Sequence, residues 1–287
     1  MEGLPAQVRV TMDGLPFLFA VDSISRTSQF GQRGVRITGR SVTALIAAPY
    51  LRATTRSNST QQLAQQIATD ALQFSGVTLD WGLTDWLVPA GAWSHQGTPL
   101  EAVQAIAQAA GGYLQSARNA ATIQTRHPYS QRVGDNPGAP WGWMTGPADV
   151  DLALDALITE SITRKEGPDI NGVYVSGTSA GVLALVRRTG SAADKLAAMA
   201  TDPLITHTDA ARQRGLSILG AAGSKYDVAL ELPVLTGVGQ PGILDVGQLV
   251  QVNASVPWRG RVRAVSVAAR APSLRQTVTV ERHLEAV

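Results

Sequence analysis

The sequence has no cysteine among its 287 residues, and this absence excludes disulfides, thiolate metal sites and a cysteine nucleophile. Charged residues make up only 16%, and the arginines are dispersed, whereas nucleic-acid binders gather basic residues into a patch. No apolar run approaches the roughly 20 residues of a membrane helix. The N-terminus, Met1-Glu2-Gly3-Leu4-Pro5, lacks the features of a signal peptide. We therefore expect a protein made in a cytoplasm, with no membrane anchor.

What the sequence does contain is a turn-rich, ordered composition. Apolar residues make up 44%, with 28 glycines and 15 prolines, and the net charge is +2. This composition is typical of folded rather than disordered chains. The length suffices for about two domains, each with a core of its own.

The most informative pattern is a repeat at a constant offset of 138 residues. Residues 23–41 align without a gap to residues 161–179, and seven of the nineteen positions are identical. The identical pairs are Ser23/Ser161, Ile24/Ile162, Arg26/Arg164, Gly34/Gly172, Val35/Val173, Gly39/Gly177 and Ser41/Ser179. Self-similarity at fixed spacing predicts two equivalent modules. The alternative is chance similarity between two β-rich stretches.

The distribution of turn and helix signals divides the chain into four segments. We expect a β-rich first module at 1–55, an α+β insertion at 56–127, a Pro/Gly-rich linker at 128–150 that closes the first module, and a second β-rich module at 151–287. A helical excursion is expected within 192–222, with one helix from Ala192 to Ala200 and another from about Thr206 to Ala222.

Local signals predict several elements in detail, the first of which is a hairpin turn at Asp13-Gly14-Leu15-Pro16. Thr98 and Glu101 have capping-box spacing at the start of a helix that Gly111-Gly112 end. Leu63 to Phe74 carries one apolar helical face. The alternation of strand residues slips within Arg261–Val267, where a β-bulge is the natural cause.

Two motifs match catalytic or cofactor-binding signatures by letter alone. Gly177-Thr178-Ser179-Ala180-Gly181 matches the nucleophile elbow, but the residues after it favour a strand where the elbow requires a helix. The repeat also equates Ser179 with Ser41, where no elbow exists. The segment 237–242 matches G-x-G-x-x-G, but Pro241 and the following residues do not favour the helix that a dinucleotide site needs.

A serine-hydrolase interpretation would require His207 or His283 as the base for Ser179. The four histidines show no metal-ligand spacing. We therefore predict no catalytic residue, no cofactor-binding residue and no metal ligand. Tryptophans form the remaining candidate group, as core anchors or as an exposed glycan-binding groove: Trp81, Trp86, Trp93, Trp141 and Trp143.

Three stretches resemble the baseplate or tail hub proteins of tailed bacteriophages, the late-control D type also found in Mu-like phages. They are Gly34–Ser41 leading into Leu45–Pro49, Thr98–Glu101 through Gly111–Leu114, and Pro241–Val250 followed by Gly260–Val265. The resemblance spans most of the chain. It implies a mainly β chain with two tail-tube-like β-barrels in tandem, pseudo-duplicated, and an α+β insertion. This sequence is shorter than many hubs and shows no appended lysozyme or spike domain.

The resemblance also implies a function. It indicates a structural virion protein, a late protein that forms a homotrimeric hub between a hexameric tail tube or distal tail ring and the tail tip or central fibre. Such a hub lines the channel for DNA ejection. The implied partners are the chain itself, a distal tail or tail-tube protein, a central fibre or spike protein and a tape-measure protein, in the baseplate of a virion assembled in the host cytoplasm. The alternatives are a serine hydrolase that uses Ser179 and a receptor- or glycan-binding tail protein.

Overall fold

Strands dominate the structure, as the alternating patterns of the sequence predict. The computed structural model describes residues 5–129, 147–237, 240–270 and 273–283. The strands are β1 (Gln7–Met12), β2 (Leu15–Gln29), β3 (Gln32–Ser41), β4 (Thr54–Ser57), β5 (Gln62–Leu63), β6 (Thr78–Trp81), β7 (Leu87–Val88), β8 (Ser94–Gly97), β9 (Tyr113–Ser116), β10 (Thr122–Arg126), β11 (Val150–Ala153), β12 (Thr159–Lys165), β13 (Gly172–Gly177), β14 (Leu183–Arg187), β15 (Ala200–Asp202), β16 (Lys225–Pro233), β17 (Leu249–Asn253), β18 (Trp258–Arg270) and β19 (Ser273–His283). The α-helices are α1 (Ala64–Ala71), α2 (Pro99–Ala109) and α3 (Thr208–Ala221).

The chain divides into two compact units. Unit 1 comprises Met1–His127, Val175–Ala184 and Ala200–Arg214, and unit 2 comprises Pro128–Tyr174, Leu185–Met199 and Gly215–Val287. The segment boundaries expected at 55, 127 and 150 remain predictions.

Unit 1 begins with the antiparallel sheet β1-β2-β3. The Asp13-Gly14 turn joins β1 to β2, and both residues adopt positive φ, which this type of tight turn requires. The core of the unit lies under α1 and α2 and includes the buried side chains of Ile67, Trp86 and Ile106.

The start of α2 confirms the predicted capping box. The Thr98 hydroxyl accepts a hydrogen bond from the Glu101 backbone N–H at 3.4 Å. The Glu101 carboxylate in turn accepts one from the Thr98 backbone N–H at 2.7 Å. These two bonds satisfy donors that a helix N-terminus otherwise leaves unpaired.

Unit 2 is built on a six-stranded sheet in the order β11-β17-β18-β19-β16-β12. One face is buried, because alternate residues of β16 and β19, among them Leu230 and Val278, pack in the core. The register of β18 against β19 shifts between Val262 and Ala264, which confirms the predicted bulge.

The expected helix at Ala192–Ala200 is wrong: Ala193 has a φ of 56°, and Leu196 forms a β-bridge to Gly172. The helical part of the excursion is α3.

The fold is mainly β, as expected, but the largest sheets have open edges within the described residues, so closed tandem barrels remain a prediction. The 128–150 linker lies mostly outside the described residues.

Candidate functional site: an exposed β-ribbon and a hydroxyl-rich sheet face

The outer part of the β2–β3 hairpin, residues 23–38, is exposed on both faces, and we call it the ribbon. Its strands pair in antiparallel register, with Ile24 opposite Ile37 and Ser23 opposite Thr38. A two-stranded ribbon is marginally stable in water by itself. A ribbon that is neither packed nor covered in the single chain is therefore a candidate assembly element.

The two faces of the ribbon differ in chemistry, because successive residues of a strand point to opposite sides. The first face is apolar and basic, and it carries Ile24, Arg26, Arg33, Val35 and Ile37. The second face is rich in hydroxyls, and it carries Ser23, Ser25, Thr27, Arg36 and Thr38. The Ser23 and Thr38 hydroxyls are hydrogen-bonded to each other at 2.6 Å. The ribbon is thus amphipathic, although neither face is buried.

The base of the ribbon is fixed by an ion pair at a bulge. The register shifts between Val21 and Ser23, so Asp22 is the extra residue. Its carboxylate accepts two hydrogen bonds from the Arg40 guanidinium, at 2.8 and 3.0 Å, and one from the Tyr50 hydroxyl at 2.6 Å. These hydrogen bonds hold the pKa of Asp22 below its usual range; the bond from Arg40 has the largest effect, and the bond from Tyr50 has the next largest. The bidentate geometry orients the ribbon relative to the body of unit 1.

Unit 2 has a face of similar chemistry on its six-stranded sheet. The side opposite the core carries hydroxyls on three strands, and they are Thr159, Ser161, Thr163, Ser266, Thr277 and Thr279. Two basic residues of this face are paired with carboxylates: Arg275 with Glu231 at 2.8 Å, and Lys165 with Asp227. The repeat therefore places Ser23 and Ser161 on hydroxyl-rich faces of their respective units.

The two copies of the repeat pair differently, however. In the first copy β2 pairs with β3. In the second copy β12 pairs with β16, and β13 belongs to the sheet β14-β13-β15. Two aligned strands thus form one hairpin in unit 1 but belong to separate sheets in the second copy.

The repeated glycines share a common physical role. A Cβ at Gly39 would lie 2.3 Å from the Ala20 carbonyl oxygen, and one at Gly177 would lie 1.7 Å from the Ile205 carbonyl oxygen. Both positions admit only glycine without a shift of the neighbouring backbone. The identities at these two positions therefore reflect close backbone approach.

The structure around Ser179 differs from that of a nucleophile elbow. Residues 178–182 form a turn between β13 and β14, in which the Gly177 N–H donates to the Val182 carbonyl at 2.8 Å. The chain continues as strand β14, whereas a nucleophile elbow continues as a helix. Ser179 is an exposed turn residue, and its environment lacks the strand–turn–helix arrangement that activates a catalytic serine.

The remaining candidates also have structural explanations. At 237–242, the Gln240 N–H donates to the Gly237 carbonyl at 2.9 Å, and no helix begins among the described residues of this segment. Trp86 and Trp93 are buried in the core of unit 1, so they do not line an exposed groove. Trp141 and Trp143 lie outside the described residues.

A buried polar cluster in unit 2 was not found from the sequence. The Glu281 carboxylate accepts hydrogen bonds from the Tyr129 hydroxyl at 2.8 Å and from Arg263 Nε at 2.9 Å, and His283 Nε2 lies 2.7 Å away. Burial alone would raise the pKa of Glu281, but these hydrogen bonds outweigh burial and hold the pKa far below its usual range. The cluster is a fully partnered structural ion network.

The remaining features of the described residues concern metal clusters and membrane-spanning helices. They contain no group of three or more histidine, aspartate and glutamate side chains placed to hold a metal ion. None of their helices has the length and apolar character needed to span a bilayer.

Comparison with known proteins identifies the fold. No family model matches the sequence, and no curated protein matches it. Among solved structures, the tail protein from Neisseria meningitidis MC58 superposes with a TM-score of 0.64 at 12% identity, over 98% of this chain and 85% of that one. The 43 kDa tail protein of prophage MuSo2 from Shewanella oneidensis gives 0.60 at 13% identity, over 98% and 84%.

A third similar structure comes from a secretion machine. It is an Escherichia coli component of the type VI secretion system, itself described as structurally similar to bacteriophage T4 tail proteins. It gives a TM-score of 0.53 at 14% identity, over 98% of this chain and 65% of that one. The chain therefore has a fold found in bacteriophage tail proteins and in this related component.

Proposed function

We propose that this chain is a structural virion protein, a trimeric tail hub of the late-control D type. It would join a hexameric tail tube or distal tail ring to the tail tip or a central fibre, and it would line the channel through which DNA leaves. One observation carries the proposal: a fold shared with tail proteins over 98% of the chain includes an amphipathic ribbon that the single chain leaves uncovered.

The symmetry argument connects the two units to the ring. Three chains, each with two modules of related sequence, present six modules around one axis. Six modules match a hexameric ring on one side, while the threefold symmetry of the chains matches a fibre or spike on the other. Because the two modules of one chain differ in structure, the ring has exact threefold symmetry and only approximate sixfold symmetry.

The hydroxyl-rich faces suit a channel lining. Affinity for DNA comes mainly from lysine and arginine side chains that neutralise phosphates. In unit 2, the basic side chains Lys165 and Arg275 on this face are paired with carboxylates. On the ribbon, Arg36 is the sole charged residue of the hydroxyl-rich face. Such a surface is wetted by water but holds DNA weakly, so DNA passes without specific binding.

The partners follow from this position. They are two further copies of the chain, a distal tail or tail-tube protein, a central fibre or spike protein and a tape-measure protein. The hub would be assembled in the host cytoplasm and would reside at the tail tip of the virion. The proposed role requires neither cofactor nor metal, and it assigns no catalytic residue.

The test is the symmetry and location of the chain in assembled particles. We expect electron microscopy of purified tails to show threefold density with a six-lobed outline at the tail tip, and antibody labelling to place the chain there. Deletion of its gene should yield tails without a tip. A chain that stays monomeric inside assembled tails, or that is absent from them, would refute the hub. Esterase activity that Ser179→Ala abolishes would instead favour a hydrolase.

A further inference from the structure

A groove in unit 1, away from the ribbon, has the features of a ligand-binding site. It has a volume of about 380 Å³ and lies between α2 and the edge strand β9. On α2, Leu100, Gln104 and Gln108 line it at four-residue spacing, which places them on one side of the helix. All four residues of β9, Tyr113–Ser116, line it as well. Successive side chains of a strand point to opposite faces, so the groove follows the edge of β9 and not one face of the sheet.

The edge of β9 offers free backbone groups to this groove. The Ala117 N–H donates to the Thr122 carbonyl at 2.9 Å, towards β10. Because hydrogen-bonded and non-hydrogen-bonded pairs alternate along an antiparallel ladder, the backbone groups of Leu114 and Ser116 are directed away from β10. Among the described residues, no hydrogen bond reaches these backbone groups. Two N–H donors and two carbonyl acceptors are therefore available to a ligand.

The free part of this edge is short. Just beyond β9, the Leu18 N–H of β2 donates to the Arg118 carbonyl at 2.9 Å. At the same end, the hydroxyls of Thr43 and Ser116 are hydrogen-bonded at 2.8 Å. The four residues of β9 themselves span about 13 Å, at roughly 3.3 Å per residue. A groove closed at this distance suits a compact ligand better than an extended peptide, which needs a longer open edge.

The side chains of the groove add unused amides. Gln104 and Gln108 are exposed on α2, and Gln115 is half-buried on β9 across from them. Within the part of the chain that the structure describes, none of these three side-chain amides forms a hydrogen bond. A glutamine amide both donates and accepts hydrogen bonds, as a hydroxyl does. The groove thus presents groups that match a ligand rich in hydroxyls.

The groove also lacks charge. None of the eleven residues that line it, all of them in the described part of the chain, is acidic, basic or a histidine. A phosphate or carboxylate ligand would find no cationic partner, and a cation would find no carboxylate. Leu100, Leu114 and Ile123 provide apolar surface, and Tyr113 adds an aromatic ring. Apolar surface with a few polar groups is typical of small-molecule sites, and the volume lies in their usual range.

We propose that this groove binds a neutral saccharide of one or two sugar rings. A sugar ring combines hydroxyls, which both donate and accept, with an apolar C–H surface. The glutamine amides and the free backbone groups of β9 would hydrogen-bond the hydroxyls, and the apolar side chains would contact the C–H surface. This recognition function goes beyond the hub role, and it does not depend on ring formation.

Binding is tested with the purified full-length chain on an array of immobilised probes. The probes are neutral oligosaccharides, acidic oligosaccharides that carry uronate or phosphate groups, and uncharged peptides. We expect binding to neutral oligosaccharides alone. The absence of any saccharide binding, or equal binding of the acidic ones, would overturn the proposal. Binding of the peptides alone would also overturn it, and would assign the groove to a protein partner.

Substitutions in α2 test whether the bound saccharide lies in this groove. For the neutral oligosaccharide that binds most tightly on the array, Gln104→Ala/Gln108→Ala should weaken binding by about tenfold in titration calorimetry, because two hydrogen-bonding amides are lost. Alanine favours a helix, so α2 should remain folded, which circular dichroism verifies. Gln65→Ala is the matched control, since Gln65 is an exposed glutamine of α1 that does not line the groove. This control should bind as the wild type does.

Hydrogen exchange supplies a readout at the strand edge. A saturating concentration of the same oligosaccharide should slow exchange of the Leu114 and Ser116 amides, whose N–H groups are free in the single chain. Unchanged exchange at both amides, or a folded Gln104→Ala/Gln108→Ala variant that binds as tightly as wild type, would refute this groove as the site. These measurements use the single chain, so they stand or fall separately from the symmetry test of the hub.

Discussion

Gly177→Ala should destabilise unit 1 more than an ordinary glycine replacement would. The added Cβ would lie 1.7 Å from the Ile205 carbonyl oxygen and 2.9 Å from its carbonyl carbon. Real Cβ atoms essentially never lie closer than 3.0 Å to such atoms, so the two backbone segments must separate by more than an ångström. Overpacking costs about 1–3 kcal/mol, and the obstacle here is backbone, which favours the upper part of that range. Alanine restricts the unfolded chain more than glycine does, which offsets roughly 0.4–1 kcal/mol of this cost.

The expected net loss is therefore about 2 kcal/mol, measured by urea unfolding with tryptophan fluorescence, to which the buried Trp86 and Trp93 of unit 1 contribute. Gly181→Ala is the matched control in the same turn. It has a φ of 64° with nothing within 4 Å, so its cost comes from left-handed backbone alone, roughly 1 kcal/mol. The reasoning is refuted if Gly177→Ala is as stable as wild type, or loses less than Gly181→Ala.

Three other outcomes are expected. Glu281→Gln should cost about 3 kcal/mol by urea unfolding, because it leaves the partly buried Arg263 and Lys225 without their carboxylate partner. Since the pKa of Glu281 is depressed in the folded state, its contribution is complete above the unfolded pKa and is lost only as pH falls towards the folded pKa. The stability of the wild type should thus fall more steeply with acid than that of Glu281→Gln. Thr98→Ala should cost about 1 kcal/mol through the lost cap of α2, with the urea midpoint as the readout. Ser179→Ala should change neither the thermal midpoint nor tail assembly, and a loss of either would contradict an exposed turn role.

Elements whose cause is local were predictable from the sequence. The capping box at Thr98 and Glu101, the Asp13-Gly14 hairpin and the bulge in β18 each depend on residues a few positions apart. The failed helix at Ala192–Ala200 shows the limit of such signals. Its alanines favour a helix, but the bridge from Leu196 to Gly172 holds that stretch in a different conformation.

The sequence alone determined that residues 23–41 and 161–179 have the same pattern of strand residues. Side chains of a strand alternate with a period of two, so this pattern can be read directly from the sequence. It did not determine their partners. Backbone hydrogen bonds are the same for every residue type, so the letters of β12 do not specify which strand lies beside it. In the first copy the equivalent strand β2 pairs with β3, whereas long-range packing pairs β12 with β16. Only the tertiary structure showed that Gly177 faces the Ile205 carbonyl, that Glu281 gathers donors from distant strands, and that the ribbon is left with both faces uncovered. Those features depend on atoms brought together from far along the chain.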